Sequence, residues 1–353
     1  MYTLTSLKQL LKNKVYVELL CVEGSRLHIE ANSLGLIINT VKSAGYLLPT
    51  AVYKIFSIVK RGNFDIIHSH YSRDLWQIVP ALELTNNKTP LVLTKHLGSF
   101  INKKDRLHQW IYGRLNAAIA ISTVIKDNLL NTCPITADKV FIIPDGIDTD
   151  RFAPDALKRA KARKEFNAGE NDIIIGMIAR FSPGKGHEEF LAAAAGLNKK
   201  YSHLKFVVVG EASRGEIEYE ERIKNSAVQL ELKNIIFTGY RSDTETTLNG
   251  MDIFAFPSHA EAFGIALVEA MSSGLPSVCS NSDGVLDIAV DRVTSYLFKV
   301  KDPNDLQSKL ELLINSPLDR KNFGEASRKR ARELFNIDVI SEKTLHFYER
   351  IIR

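Results

Sequence analysis

Cysteine is scarce: Cys21, Cys133 and Cys279 are the only three in 353 residues, far apart and set in apolar or loop sequence. An odd, scattered set offers neither a disulfide framework nor a zinc site, and it suits a reducing compartment. No apolar run approaches the ~18 residues of a membrane-spanning helix, and the N-terminus has no basic-then-apolar leader, so neither spanning nor secretion is expected. No strand-like run leads into a complete Gly-x-Gly-x-x-Gly with a downstream ribose acid, which argues against a dinucleotide-dependent oxidoreductase. Charge of one sign is not in large excess. A net charge of +5 suits a phosphorylated ligand or an anionic membrane surface and falls short of a nucleic-acid footprint. Low-complexity tracts and short-period repeats are also missing.

What is present is an ordinary globular composition, 45% hydrophobic and 25% charged, long enough for about two domains. Short apolar runs alternate with amphipathic stretches. Val15 to Cys21, Asp65 to His68, Leu91 to Thr94, Ala117 to Ile121 and Val140 to Ile143 read as parallel strands. A second series follows at Ile173 to Ile178, Phe206 to Val209, Ile235 to Thr238, Ile253 to Phe256 and Ser277 to Cys279. That rhythm predicts two doubly wound α/β domains, with the boundary between residues 145 and 168. We expect an N-terminal domain over 1–150, a second over 151–336 and a last helix over 337–353.

The most informative stretch is Glu261-Ala-Phe-Gly-Ile-Ala-Leu-Val-Glu269-Ala-Met-Ser-Ser-Gly-Leu-Pro276. Two carboxylates stand eight residues apart around an aromatic-glycine turn that opens a helix from Ile265 to Ser273. Gly264 allows close backbone approach, and the first amides of the helix favour an anion. Glu261 in the loop is placed for a sugar ring and Glu269, near the second turn, for ribose hydroxyls. Arg180-Phe-Ser-Pro-Gly-Lys185-Gly-His187 sets two cations in another strand-to-helix turn, where Arg180 forks onto phosphate oxygens and Lys185 adds a point charge. Gly210-Glu211, Tyr240-Arg241 and the amides of Gly284 and Val285 follow other strands of the second series and are candidates for nucleotide, diphosphate or sugar contact.

In the first series His96 closes a buried strand, and His68-Ser-His70 has the spacing of two metal ligands without a third in matching context. Asp148-Thr-Asp150 has a metal-binding look but falls in the interdomain linker, so no metal is assigned. Lys103-Lys-Asp-Arg-Leu-His-Gln-Trp110-Ile-Tyr-Gly-Arg114 mixes cations with apolar residues, as an ordinary amphipathic helix does and as a helix resting on anionic lipid does.

Pro257-Ser, Glu261-x-Phe-Gly and Glu269-Ala-Met-x-x-Gly-x-Pro occurring together resemble the signature of the retaining family 4 glycosyltransferases. The resemblance covers nearly the whole chain and is strongest from Ile173 to Cys279. It implies a GT-B fold, two Rossmann-like doubly wound domains facing a central cleft, with the last helix crossing back onto the first domain. It implies transfer of a sugar, with retention and without a metal or cofactor, from a nucleoside-diphosphate donor to a glycan, glycolipid or cell-envelope polysaccharide hydroxyl. The base is UDP by family default. By matching motif it assigns Arg180 and Lys185 to the diphosphate, Glu261 and His96 to the sugar, and Phe263, Gly264, Ile265, Glu269, Tyr240, Arg241, Gly210 and Glu211 to the nucleotide sugar. The enzyme is expected in the cytoplasm, with peripheral contact to the inner face of the cell membrane.

Three departures stand out. The family opens with a strand and a Gly-Gly loop where this chain opens in a helical stretch, Thr5 to Leu11, so the first strand is expected to be missing. Asp145 stands where the family commonly has Asn, and Glu211-Ala212 replaces a Gly-x-Gly turn. The competing class is therefore a catalytically weak sugar-nucleotide binder, with a sugar-nucleotide epimerase as a lesser alternative. Donor binding without turnover separates the first from the enzyme.

Overall fold

Aliphatic runs buried on both faces become parallel strands, and the amphipathic stretches between them become the covering helices. The computed structural model describes residues 2–42, 46 and 48–353. In the first series β1 (Glu18–Val22), β2 (Ile37–Val41), β3 (Ile67–Ser69), β4 (Leu91–Lys95), β5 (Ala117–Ala120) and β6 (Val140–Ile142) form a two-stranded sheet β1-β2 and a four-stranded sheet β3-β4-β5-β6, all parallel. β1 starts at Glu18 rather than Val15, because the Val15 amide still closes the opening helix Tyr2–Lys12 onto Leu10 O at 3.0 Å. β2 escapes the sequence reading: Asn39 and Thr40 interrupt its apolar run, and its residues are only partly covered.

The second series gives β7 (Ile173–Ile178), β8 (Leu204–Val209), β9 (Ile235–Gly239), β10 (Ile253–Phe256), β11 (Ser277–Ser280) and β12 (Ser295–Phe298) in one parallel sheet of order β12-β11-β10-β7-β8-β9. β12, Ser-Tyr-Leu-Phe, is also missed, for the same want of an apolar run. The chain winds outward from β7 to β9, returns to pair β10 against the other side of β7, and winds out again to β12. The strand order therefore reverses between β7 and β10, and in such sheets a ligand crevice lies outside the carboxyl ends of the strands at that point.

These elements divide into two compact units, one taking in the chain up to Gly146 together with Ile337–Arg353, the other Ile147–Asn336. The helix Ile337–Ile352 joins the first because Ile340, Phe347 and Tyr348 pack on Val92, Ala117, Ile119 and Ile143, with the Phe141 and Phe347 rings 5.2 Å apart. The three cysteines are buried and unbridged. No helix among the described residues is long and apolar enough to cross a membrane.

Candidate active site

In the second unit the loops leaving β7, β8 and β10 are locked together by glycines. Gly210 leaves β8 at φ +142, and a Cβ there would lie 1.9 Å from Ala179 O. The β8 exit thus runs flat against the β7 exit, where Phe181 N donates to Glu211 O at 3.1 Å. Gly186, at φ +79, heads the helix His187–Asn198, and its Cβ would lie 2.2 Å from Pro257 O. His259 N donates to Gly184 O at 2.8 Å, so the β7 and β10 loops share one backbone seam. Gly186→Ala is expected to force that seam apart, lowering both the melting temperature and nucleotide affinity. A variant that melts like the parent would contradict the seam.

On this frame Arg180 is exposed, and its Nη1 donates to Ser213 Oγ at 2.7 Å. Lys185 Nζ lies 2.6 Å from Glu261 Oε1, the two side chains being 23% and 16% exposed. The two residues assigned separately to phosphate and sugar are thus an ion pair. Gly264, at φ +118, precedes the helix Ile265–Ser272, whose first amides have no intrahelical acceptor. Phe263 points inward, 3% exposed and packed on Phe335, so its side chain belongs to the core, whereas Ile265 is 41% exposed. The β7 loop with Arg180 and Lys185 and the β10 loop with Glu261 and the start of the Ile265–Ser272 helix therefore lie where the strand order reverses.

Glu269 sits one turn further along that helix. Burial pushes its carboxyl up to about 7; Arg151 pulls it down and Glu245 pushes it up. Arg151 is itself held by Glu245 at 2.8 Å. The Glu269 carboxylate has no hydrogen-bond partner among the described residues. On the β9 exit Tyr240 presents an open ring, 61% exposed. Arg241 beside it is committed: Asp243 takes Nε and Nη2 at 2.8 Å each, and Glu165 takes Nη1 at 2.9 Å.

The expectation for Gly284 and Val285 is corrected. Gly284 N donates to Glu261 O at 3.0 Å and Val285 N to Ser282 O at 3.2 Å, so both amides are used inside the loop rather than offered to a ligand. Asp148 caps its own turn, its Oδ1 accepting from Asp150 N and Arg151 N. The sequence reading also overlooked Glu189 and His259, 2.8 Å apart, which brace the start of one helix against the Glu261 loop. A groove of about 440 Å³ at the opposite, amino end of the sheet is lined by Arg159 and Arg320. Arg159 is taken by Asp252 and Arg320 by the carbonyls of Leu313 and Ile314, so those two guanidiniums are committed within the fold.

In the first unit the carboxyl ends of β3 and β4 bring three histidines together. His68 is spent on Tyr348 OH at 2.5 Å and Thr94 Oγ1 at 2.7 Å, and burial keeps it neutral. His70 is driven down to about 3 by burial and by His96. His96 is 25% exposed, with Nε2 3.4 Å from His70 Nδ1 and Nδ1 3.6 Å from Oδ1 of the buried Asp145. The departure at Asp145 thus places a carboxylate against the histidine singled out in the sequence, a pairing that 48 intervening residues concealed.

Residues 1–151 match the family model described as Glycosyltransferase Family 4, and residues 158–330 that described as Glycosyl transferases group 1. EpsF of Bacillus subtilis is 30% identical over 265 residues, covering 72% of this chain and 67% of EpsF. The chain belongs to the family 4 glycosyltransferases. Its relatives include the N,N'-diacetylbacillosaminyl-diphospho-undecaprenol alpha-1,3-N-acetylgalactosaminyltransferase of Campylobacter jejuni, 27% identical over 88% of this chain and 85% of that protein. The match to the capsular polysaccharide biosynthesis glycosyltransferase CapM of Staphylococcus aureus is 26% identical over 67% of this chain and spans 62% of CapM. Among solved structures, a glycosyltransferase from Rickettsia africae ESF-5 superposes with a TM-score of 0.90 at 23% identity over 100% of this chain and 94% of that one. Anabaena HepE, solved with UDP and glucose, gives 0.81 at 18% identity over 98% of this chain and 94% of that one. The fold of this glycosyltransferase is accordingly GT-B, built from two Rossmann-like domains.

Proposed function

We propose that this glycosyltransferase moves a sugar from a nucleoside-diphosphate donor, UDP being the expected base, to a hydroxyl of a lipid-linked or polysaccharide glycan, retaining the anomeric configuration and using no metal. The carrying observation is the group of charges in the second unit: exposed Arg180, Lys185 beside Glu261, and the helix-opening amides of Ile265 and Ala266 ahead of Glu269. In this reading Arg180, Lys185 and the helix amides neutralise the departing diphosphate in place of a divalent ion. Lys185 is then shared between Glu261 and a phosphate oxygen, and Glu261 orients the sugar hydroxyls. Glu269 accepts from the ribose, Tyr240 covers the base, and the backbone of Gly210 and Glu211 borders it. His96 serves a hydroxyl on the sugar or acceptor.

Glu261 is a poor nucleophile while Lys185 holds its carboxylate, which favours front-face attack by the acceptor hydroxyl over a covalent intermediate. A lipid-linked acceptor fits the relatives whose acceptors are diphospho-undecaprenol-linked sugars, in Campylobacter jejuni and Escherichia coli. The test is transfer from labelled UDP-sugars to undecaprenyl-diphosphate saccharides in EDTA, with the product anomer read by NMR. An α-linked product from an α-donor is expected; an inverted product, or turnover only with added Mg²⁺, would sink the proposal.

A further inference from the structure

Five large apolar side chains of the first unit stand in solvent within fourteen residues: Leu97 at 69% exposure, Phe100 at 105%, Ile101 at 69%, Leu107 at 60% and Trp110 at 45%. Single exposed apolar residues are common; a run of them marks an interaction surface. The segment is held firmly while its apolar groups face outward. Ser99 N donates to Asn128 Oδ1 at 2.6 Å, and Asn128 Nδ2 returns a bond to Ser99 O at 3.0 Å. Lys103 N donates to Thr132 O at 2.7 Å. Asp105 caps the helix Arg106–Gly113 by accepting from the amides of Leu107 and His108 at 3.1 Å each. The fold thus spends hydrogen bonds on presenting Phe100 and its neighbours to the outside.

The charge of the same stretch selects the partner. Lys103, Lys104 and Arg106 face a single acid, Asp105, whose carboxylate is taken by the helix amides and by His108 at 2.5 Å. Lysine is depleted at protein interfaces, whereas lysines rimming a Phe-Ile-Leu-Trp surface suit lipid phosphates above an acyl boundary. We propose that Leu97–Trp110 docks the enzyme on an anionic bilayer, with Leu97, Phe100, Ile101 and Trp110 entering the headgroup–acyl boundary and Lys103, Lys104 and Arg106 engaging lipid phosphates. The segment begins directly after His96, so docking sets that histidine close to the lipid surface; that this serves a lipid-linked acceptor rests on the reading given above.

The experiment is co-sedimentation of the full chain with vesicles of phosphatidylcholine alone and of phosphatidylcholine with phosphatidylglycerol, alongside a UDP titration. The parent is expected to sediment with the anionic vesicles and not with the neutral ones. F100S/I101S and K103E/K104E are each expected to lose at least about tenfold in partitioning, with UDP affinity unchanged. No sedimentation of the parent, or variants that bind as the parent does, would overturn the proposal. So would self-association abolished by F100S/I101S while vesicle binding persists, since the face would then hold a second copy. Intact vesicle binding with no UDP binding by the parent would instead overturn the donor-site reading alone.

Discussion

Glu269→Gln is expected to weaken UDP binding about 10- to 100-fold, the loss of hydrogen bonds to a charged acceptor, while making the protein more stable at pH 8. Both effects come from one carboxyl that burial holds at about 7, above the ordinary carboxylate range. As pH rises from the usual carboxylate value towards 7, the unfolded chain ionises this group and the folded chain does not. The unfolded state then binds fewer protons, and stability falls through that window. A glutamine removes the penalty, so the variant's gain in melting temperature should be small at pH 5 and largest above pH 7. In the proposed site ribose hydroxyls donate to the ionised form, so parental UDP affinity should climb as pH rises through about 7, and this climb should vanish in the variant. Donor KM should rise more than kcat falls. A variant that binds UDP like the parent, or that melts at a lower temperature at pH 8, would remove Glu269 from the nucleotide site.

Arg180→Ala and Lys185→Ala are each expected to lower kcat by about 100- to 1,000-fold, the range for removing one preorganised charge from a departing anion. The two should differ in stability. Arg180 is exposed and tied to Ser213, so its truncation should leave the melting temperature near that of the parent. Lys185→Ala strands the largely buried carboxylate of Glu261, which costs stability as well as rate. Glu261→Gln in the same molecule should restore stability without restoring turnover, and the two substitutions should be clearly non-additive. Kinetics and thermal melts on the four proteins decide this. A Lys185→Ala enzyme with parental kcat would show the ion pair to be a structural brace only.

The second unit was legible because its chemistry is local. Each strand-to-helix turn carries its own residues in one short segment, and the rhythm of apolar runs fixes which turns share an edge of the sheet. Glu261, Gly264 and Glu269 are placed on the loop after β10 and the helix that follows it in this way. Residues whose roles depend on distant partners were not. Nothing beside Arg241 in the sequence reveals that Glu165 claims its guanidinium, and Phe263 reads as a contact residue until Phe335 is seen against its ring. The Glu189–His259 brace and the Asp145–His96 approach likewise join segments far apart in the chain. β2 and β12 were missed because parallel pairing with β1 and β11, not an apolar run of their own, makes them strands.

The central claim is a diphosphate site in the second unit that works through fixed cations and helix amides. Isothermal titration of the purified chain with UDP, in EDTA and again in Mg²⁺, tests it most directly. The account predicts saturable binding with the same affinity in both buffers, weakened in Glu269→Gln as stated above. Absence of binding, or binding that appears only with Mg²⁺, would contradict it.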